Sequence, residues 1–379
     1  MRVAYFNASL RMGQDGVTRV MYKMFEGAVA RNIEAIAFTS TLQNARETVI
    51  PVVTVPSVAL PLQKAYRLAL PGYHSFVKQL QKFRPDVIHI NSPCTLGAAA
   101  VKYARQFDVP VVATYHTHFP AYLRYYHMKG LEEFAWHLLR CLYNQVDRTF
   151  VPAVPMFDEL TEHGIRNLQY LPNGVDLALF HPKHRSMQWR ERFDAQDRPV
   201  LLFVSRLVWE KDLRVLAEAY KILKKKNLDF EMVIVGDGHA RRGFERLMPG
   251  AHFLGYQTGE TLAESYASSD IFVFPSTTET FGLVTVEAMA SGLAVVAAKA
   301  GGQVGIIEEG KSGLFAQPQS GVDIARKIEW LMDQPKDQWE LGEHAQRRAE
   351  EFRWERILDR LFQNYAEVIE DSNKRRAAA

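Results

Sequence analysis

The stretch Ile271-Phe-Val-Phe-Pro-Ser-Thr-Thr-Glu279-Thr-Phe-Gly-Leu-Val-Thr-Val-Glu287-Ala-Met-Ala-Ser-Gly292 decides the fold class. Its first four residues are a continuous apolar run of strand length, closed by Pro275. Between Gly282 and Gly292 the pattern becomes that of an amphipathic helix. Glu279 lies on the loop between them, at the C-terminal edge of the strand, and Glu287 lies inside the helix. Open α/β sheets bind ligands in the crevice at that edge, so carboxylates placed this way can hydrogen-bond different hydroxyls of one polar ligand. Spacing alone would leave both on a solvated face. The strand before them and the glycines around them argue otherwise.

The alternation extends along the whole chain. Strands are expected at Val3–Asn7, Glu34–Thr39, Val87–Asn91, Val109–Tyr115, Arg148–Val151 and Leu168–Leu171, with helices at Thr18–Ala30, Tyr73–Phe83, Thr95–Phe107 and Leu131–Gln145. Strands alternating with helices indicate a parallel sheet covered by helices. The polar stretch His181 to Arg198 then reads as an interdomain connection. Strands resume at Val200–Ser205, Phe230–Gly236, Ala251–Leu254, Ile271–Phe274 and Ala294–Ala298. The expected fold is α/β, with two doubly wound Rossmann-like domains, 1–178 and 179–353, facing each other across a cleft. A last helix, about 354–373, packs back on the first domain and leaves a frayed tail from Lys374.

Composition narrows the function classes. At 379 residues with 47% apolar content, the chain suits two globular domains rather than a disordered segment. Cys94 and Cys141 stand far apart without metal-ligand spacing, which fits a reducing compartment. The chain opens directly on a strand, Arg2–Asn7, with no leader pattern, and holds no apolar stretch near the roughly 18 residues of a spanning helix. The expected address is the cytosol, with any membrane contact peripheral.

Net charge is only +3, but residues 1–180 hold 18 Lys and Arg against 13 Asp and Glu, whereas the remainder holds 28 against 30. From Thr48 to Pro85 there is no acidic residue, and Lys64, Arg67, Lys78, Lys82 and Arg84 alternate with Leu62, Tyr66, Tyr73, Phe76, Leu80 and Phe83. Segment 62–84 therefore has the chemistry to lie on an anionic membrane surface. A core-facing helix with lysines in water is the alternative. The basic excess is too small, and binding motifs too absent, for nucleic acid to be a partner.

Polar residues recur at the strand ends of the second half. Arg206 and Lys211 follow one strand and could bind a pyrophosphate. Val235-Gly-Asp-Gly238 ends the next, where glycine lets backbone approach a ligand. Glu279 and Glu287 follow the fourth, and Gly301-Gly302 the fifth. Helix N-termini facing the same edge would add N–H donors for phosphate. No Asp-x-Asp pair occurs anywhere.

In this order and spacing, the chain resembles the family 4 glycosyltransferases, retaining enzymes of GT-B architecture. The resemblance runs through Asp15-Gly16-Val17, His116, Pro172-Asn-Gly-Val-Asp176, Arg206 with Glu210-Lys211, Val235-Gly-Asp-Gly238, and Glu279 with Glu287 before Ala-Met-Ala-Ser-Gly292. Tyr115-His-Thr-His-Phe-Pro-Ala-Tyr-Leu-Arg-Tyr-Tyr126 and Arg206-Leu-Val-Trp-Glu-Lys-Asp-Leu213 look like the branch holding glycolipid-forming mannosyl- and sulfoquinovosyltransferases.

The resemblance implies a donor that is a nucleotide diphosphate sugar, with GDP-mannose first and a UDP-hexose second, and an acceptor that is a lipid or glycan hydroxyl. Arg206 and Lys211 would neutralise the leaving diphosphate without any metal or other cofactor. Glu279 would hold sugar hydroxyls, Glu287 the ribose, and Gly16, Gly236, Phe281, Gly282 and Leu283 would complete the donor site. His116 would face the donor sugar, while Asp15, His118, Tyr122 and Tyr125 would line the acceptor side. Retention would proceed on one face of the sugar, because no carboxylate nucleophile with an acid about 5 Å away is identifiable.

One position departs from the family pattern. Gly305, in Gly301-Gly-Gln-Val-Gly305-Ile-Ile-Glu308, stands where an acid is expected, so either Glu308 or Glu309 compensates or a polar support is missing. Two rivals fare worse. A dinucleotide-dependent oxidoreductase needs Gly-x-Gly-x-x-Gly after a strand, and neither the first strand nor Gly236-Asp-Gly238 supplies it. A non-catalytic sugar- or lipid-binding module would not need every donor-site residue, and all are present. His89 reads as a core histidine, and Asp237 as support for its own turn.

Overall fold

A computed structural model describes residues 1–10, 16–42, 48–59, 67–69, 73–125 and 128–378, which divide into two units, Met1–Pro172 with Glu355–Ala379 and Asn173–Trp354. The division falls after Pro172 rather than after residue 178. The reason is local: Val175 N–H donates to the Phe352 carbonyl at 2.7 Å, and Gly174 lies against the Trp354 ring.

In the first unit, strands β1 (Arg2–Asn7), β2 (Glu34–Thr39), β3 (Val52–Thr54), β6 (Val87–Ile90), β7 (Val111–Thr114), β8 (Arg148–Val151) and β9 (Leu168–Tyr170) form a parallel sheet in the order β3-β2-β1-β6-β7-β8-β9. A small antiparallel pair, β4 (Ser57–Ala59) and β5 (Arg67–Ala69), stands apart from it. Central strands such as β6 and β7 are buried at every position, as a sheet covered on both faces requires. The helix Tyr73–Phe83 turns Phe76 and Leu80 into this core, where Phe76 meets Phe6 and Phe38 edge-on, and leaves Lys78 and Lys82 exposed. The described part of segment 62–84 thus packs Phe76 and Leu80 in the core and leaves Lys78, Gln79, Gln81 and Lys82 exposed. Residues 60–66 and 70–72 lie outside the described residues.

Residues 355–378 of the helix Trp354–Ala378 pack in the first unit, as expected. Gly27 gives Leu358 room to approach, Arg31 pairs with Asp359 at 2.6 Å, and Tyr365 hydrogen-bonds the buried ring of His89, whose Nε2 meets Thr114 Oγ1 at 2.7 Å. His89 is a core histidine. The tail expected to fray stays helical to Ala378, because Arg375 pairs with Asp147 at 2.6 Å and Arg376 with Asp108.

The second unit holds β10 (Val200–Val204), β11 (Glu231–Val235), β12 (His252–Gly255), β13 (Ile271–Phe274), β14 (Ala294–Ala298) and β15 (Leu314–Ala316), all parallel, in the order β12-β11-β10-β13-β14-β15. The stretch His181 to Arg198 belongs to this unit and is no linker. It contains the helix Met187–Glu191 and buries Trp189 and Arg190. The Arg190 guanidinium donates to the carbonyls of Ala195, Ser268 and Arg198 and pairs with Asp270 at 3.0 Å, so its charge is matched inside. The helix after Gly282, Leu283–Ala290, is not amphipathic: Thr285 to Ala290 are all buried, covered by the helix Pro335–Ala349.

Candidate active site

In the second unit, the chain moves from β10 outward to β12 and then returns to the other flank of β10 with β13. That reversal is the switch point at which doubly wound sheets bind ligands. Arg206 and Lys211 follow β10, and Glu279 follows β13, so the candidate cations and carboxylate straddle it. Lys211 Nζ lies 2.5 Å from Glu279 Oε1, with the two side chains 8% and 17% exposed. Arg206 is exposed. The turn carrying Lys211 is tied to the loop carrying Glu279: Thr277 donates to Asp212 Oδ2 through both N–H (2.9 Å) and Oγ1 (2.8 Å), and Thr278 Oγ1 donates to the Glu210 carbonyl at 2.9 Å. Burial pushes the Asp212 carboxyl up, against the pull of the Thr277 hydrogen bonds and the Lys211 charge.

Backbone contacts shape the rest of this edge. Gly236 has φ +132°, and a Cβ built on it would lie 1.8 Å from the Ser205 carbonyl oxygen, so only glycine lets the ends of β10 and β11 meet. A Cβ on Gly302 would lie 2.2 Å from the Phe281 carbonyl oxygen, and Gly302 N–H donates to the Glu279 carbonyl at 2.8 Å. The loops 279–282 and 300–303 therefore touch backbone to backbone. The Phe281 ring packs in the core edge-on against Phe352, and Gly282 after it is buried as well. Asp237 supports its own turn, accepting from Gly238 N–H at 2.7 Å.

Glu287 is 5% exposed and accepts a hydrogen bond from Tyr266 Oη at 3.0 Å. Tyr266 escaped the sequence reading because its partner lies twenty-one residues away on another element. At the Gly305 departure, neither nearby acid replaces the missing one. Glu309 accepts from Phe315 N–H at 3.0 Å, and Glu308 sits at the surface beside Arg348 and Lys311. The polar group buried there is Gln303, fully enclosed beside Gly282, with neither amide atom hydrogen-bonded among the described residues.

In the first unit, His116 stands two residues past β7 and is 8% exposed. Its Nε2 lies 3.1 Å from Asn91 Oδ1, and desolvation holds its pKa down to about 4, so the ring is neutral. Beside it, Ser92 Oγ donates to Asn7 Oδ1 at 2.7 Å. His118 is engaged at both nitrogens, with Tyr115 Oη at 2.8 Å and Glu159 Oε2 at 3.1 Å, and so anchors its loop to the helix Val154–Glu162. Burial pushes the Glu159 carboxyl up, but the hydrogen bond and charge of His118 and the charge of Arg124 outweigh it and hold the carboxyl low. Gly16, expected in the donor site, is the first residue of the helix Gly16–Ala30. Asp15 lies outside the described residues, and Tyr122 and Tyr125 are described only as backbone of the helix Phe119–Tyr125.

Residues 14–179 match Glycosyltransferase Family 4, and residues 187–348 match Glycosyl transferases group 1. A GDP-mannose-dependent alpha-mannosyltransferase of Corynebacterium glutamicum is 33% identical over 97% of this chain and 89% of its own length. The chain belongs to the family 4 glycosyltransferases. As a family 4 glycosyltransferase it is also 33% identical to the sulfoquinovosyl transferase SQD2 of Arabidopsis thaliana, over 79% of this chain and 60% of that one. The sucrose-phosphate synthase of Thermosynechococcus elongatus has the same fold, with TM-score 0.81 and 20% identity over 98% of this chain and 99% of that one. This glycosyltransferase therefore has the GT-B fold, two Rossmann-like domains each built on a parallel sheet. Among its described residues, no helix is long and apolar enough to cross a membrane.

Proposed function

We propose that this glycosyltransferase moves mannose from GDP-mannose, with retention and without a metal ion, onto a hydroxyl of a lipid-linked acceptor. The observation that carries the reading is the part-buried Lys211–Glu279 pair at the β10/β13 switch point. Such a pair gives little net stability, since desolvating both charges offsets their attraction. It does hold an ammonium where a diphosphate would bind. Negative charge developing on the departing phosphate then meets cations already in place at Lys211 and Arg206, which lowers the barrier without reorganisation. Glu279 and Glu287 accept from sugar and ribose hydroxyls, and the neutral His116 orients the transferred sugar.

Support for the donor comes from the donor named for the Corynebacterium glutamicum relative. Support for a lipid acceptor comes from the resemblance of residues 115–126 to the glycolipid-forming branch, and exposed Lys78 and Lys82 would favour a peripheral place on an anionic surface. The test is transfer of radiolabelled sugar from GDP-mannose or UDP-glucose into extractable lipid, with and without EDTA. Label is expected from GDP-mannose, unaffected by EDTA. Transfer from UDP-glucose alone contradicts the donor, and a loss of about tenfold or more with EDTA contradicts the metal-free mechanism.

A further inference from the structure

The first unit's sheet has its own reversal of strand order, between β1 and β6. Asn91 is the residue immediately after β6, with its N–H bonded to the Phe6 carbonyl of β1 at 2.8 Å, so it stands at the switch point itself. Its side chain is buried, at 2% exposure, and its Oδ1 lies 3.1 Å from His116 Nε2. An amide oxygen only accepts, so the hydrogen in that bond is carried by Nε2. The ring is neutral, because burial holds its pKa near 4. A neutral imidazole protonated on Nε2 has its acceptor lone pair on Nδ1.

The other end of the Asn91 amide completes the observation. Nδ2 is buried and has no hydrogen-bond partner among the described residues. Neighbouring Asn7, by contrast, donates through Nδ2 to the Ser9 carbonyl at 2.7 Å and accepts from Ser92. An unmet buried N–H is costly, and an apolar side chain of the same shape would avoid that cost. Unsatisfied capacity at a switch point, beside the histidine that reads as the sugar-orienting group, points to a ligand.

We propose that Asn91 is a positioning residue for His116: its Oδ1 selects the Nε2–H tautomer, which makes Nδ1 the acceptor for a hydroxyl of the sugar, and its Nδ2 donates to an oxygen of the same ligand. The inference deepens the glycosyl-transfer reading and rests on the role of His116 in it.

Two measurements on the full chain test it. In nitrogen-15 NMR of histidine-labelled protein, with the His116 signals identified by their loss in His116→Gln, the wild-type ring carries its proton on Nε2. Asn91→Asp, which keeps an accepting oxygen, retains that tautomer, whereas Asn91→Leu loses it. In transfer kinetics, Asn91→Leu lowers kcat by about a hundredfold through misplacement of His116, with donor KM little changed, and Asn91→Asp falls between it and wild type. Should Asn91→Leu not fold, Asn91→Ser, too short to reach Nε2, takes its place with the same expected loss. A wild-type ring protonated on Nδ1, or a Leu or Ser variant with wild-type tautomer and turnover, overturns the proposal. A wild-type chain that transfers no sugar defeats the functional reading, while the tautomer measurement still decides the relation between Asn91 and His116.

Discussion

Lys211→Met removes a cation whose Nζ lies 2.5 Å from Glu279 Oε1 and strands a carboxylate that is 17% exposed. Removing one partner of a buried ion pair costs about 3–5 kcal/mol, and the partial access of water to Glu279 sets the expectation at the low end, about 3 kcal/mol. For a domain of this size, each kcal/mol lowers Tm by roughly 2–4 °C, so calorimetry should show a fall of about 6–12 °C. The double variant Lys211→Met/Glu279→Gln replaces both charges with neutral side chains of similar volume. Its stability should return to within about 1 kcal/mol of wild type. Activity should behave differently, because the cation is required where charge develops on the leaving diphosphate. Both variants should lose about a hundredfold or more in kcat. A double variant that regains turnover together with stability would refute the reasoning, because the pair would then be only a structural strut.

Tyr266→Phe deletes the hydroxyl that donates to Glu287 at 3.0 Å. A hydrogen bond to a charged acceptor contributes about 1.5–3 kcal/mol, so nucleotide affinity by calorimetry should fall about 10- to 100-fold; unchanged affinity would remove Glu287 from the donor site. Gln303→Leu removes two buried amide atoms that lack partners and should raise Tm by a few degrees, roughly, whereas a lower Tm would show that the amide is satisfied. Burial holds His116 near pKa 4 and His89 well below its ordinary value, against about 6.5 in the unfolded chain. Both depressed values stabilise the fold above about pH 6.5, and that contribution fades as pH falls toward the folded values. For His116 the effect is up to about 3 kcal/mol. Urea midpoints should therefore drop between about pH 6.5 and 4, less steeply in His116→Gln, and an identical slope in the variant would count against the assignment.

The residues after β10 and β13 were legible in the sequence because their positions follow from strand ends, which apolar runs and glycines mark. The partners of those residues were not. Asn91 is bonded to a histidine twenty-five residues on, and Tyr266 to a carboxylate on another helix; neither relation leaves a periodic signal. The stretch His181 to Arg198 looked like a linker because its composition is polar. Arg190, however, finds its partner at Asp270, eighty residues away, and with Trp189 holds the stretch on the second unit. The helix Leu283–Ala290 was expected to be amphipathic, yet its polar residues Thr285 and Glu287 are both buried, Glu287 against Tyr266, under the helix Pro335–Ala349. Short strands such as β3 and β15 have three residues each and depend on their neighbours in the sheet for pairing, which a local pattern cannot report.

The central claim, that the edge holding Arg206, Lys211, Glu279 and Glu287 is a nucleotide-sugar site, is tested most directly by thermal stabilisation. Wild type and Glu287→Ala should be melted with GDP, UDP, ADP and their sugars, because a ligand that binds only the folded chain raises stability by mass action. The account predicts a selective rise with GDP and GDP-mannose that Glu287→Ala weakens. No shift with any nucleotide, or a shift that Glu287→Ala leaves intact, would contradict it.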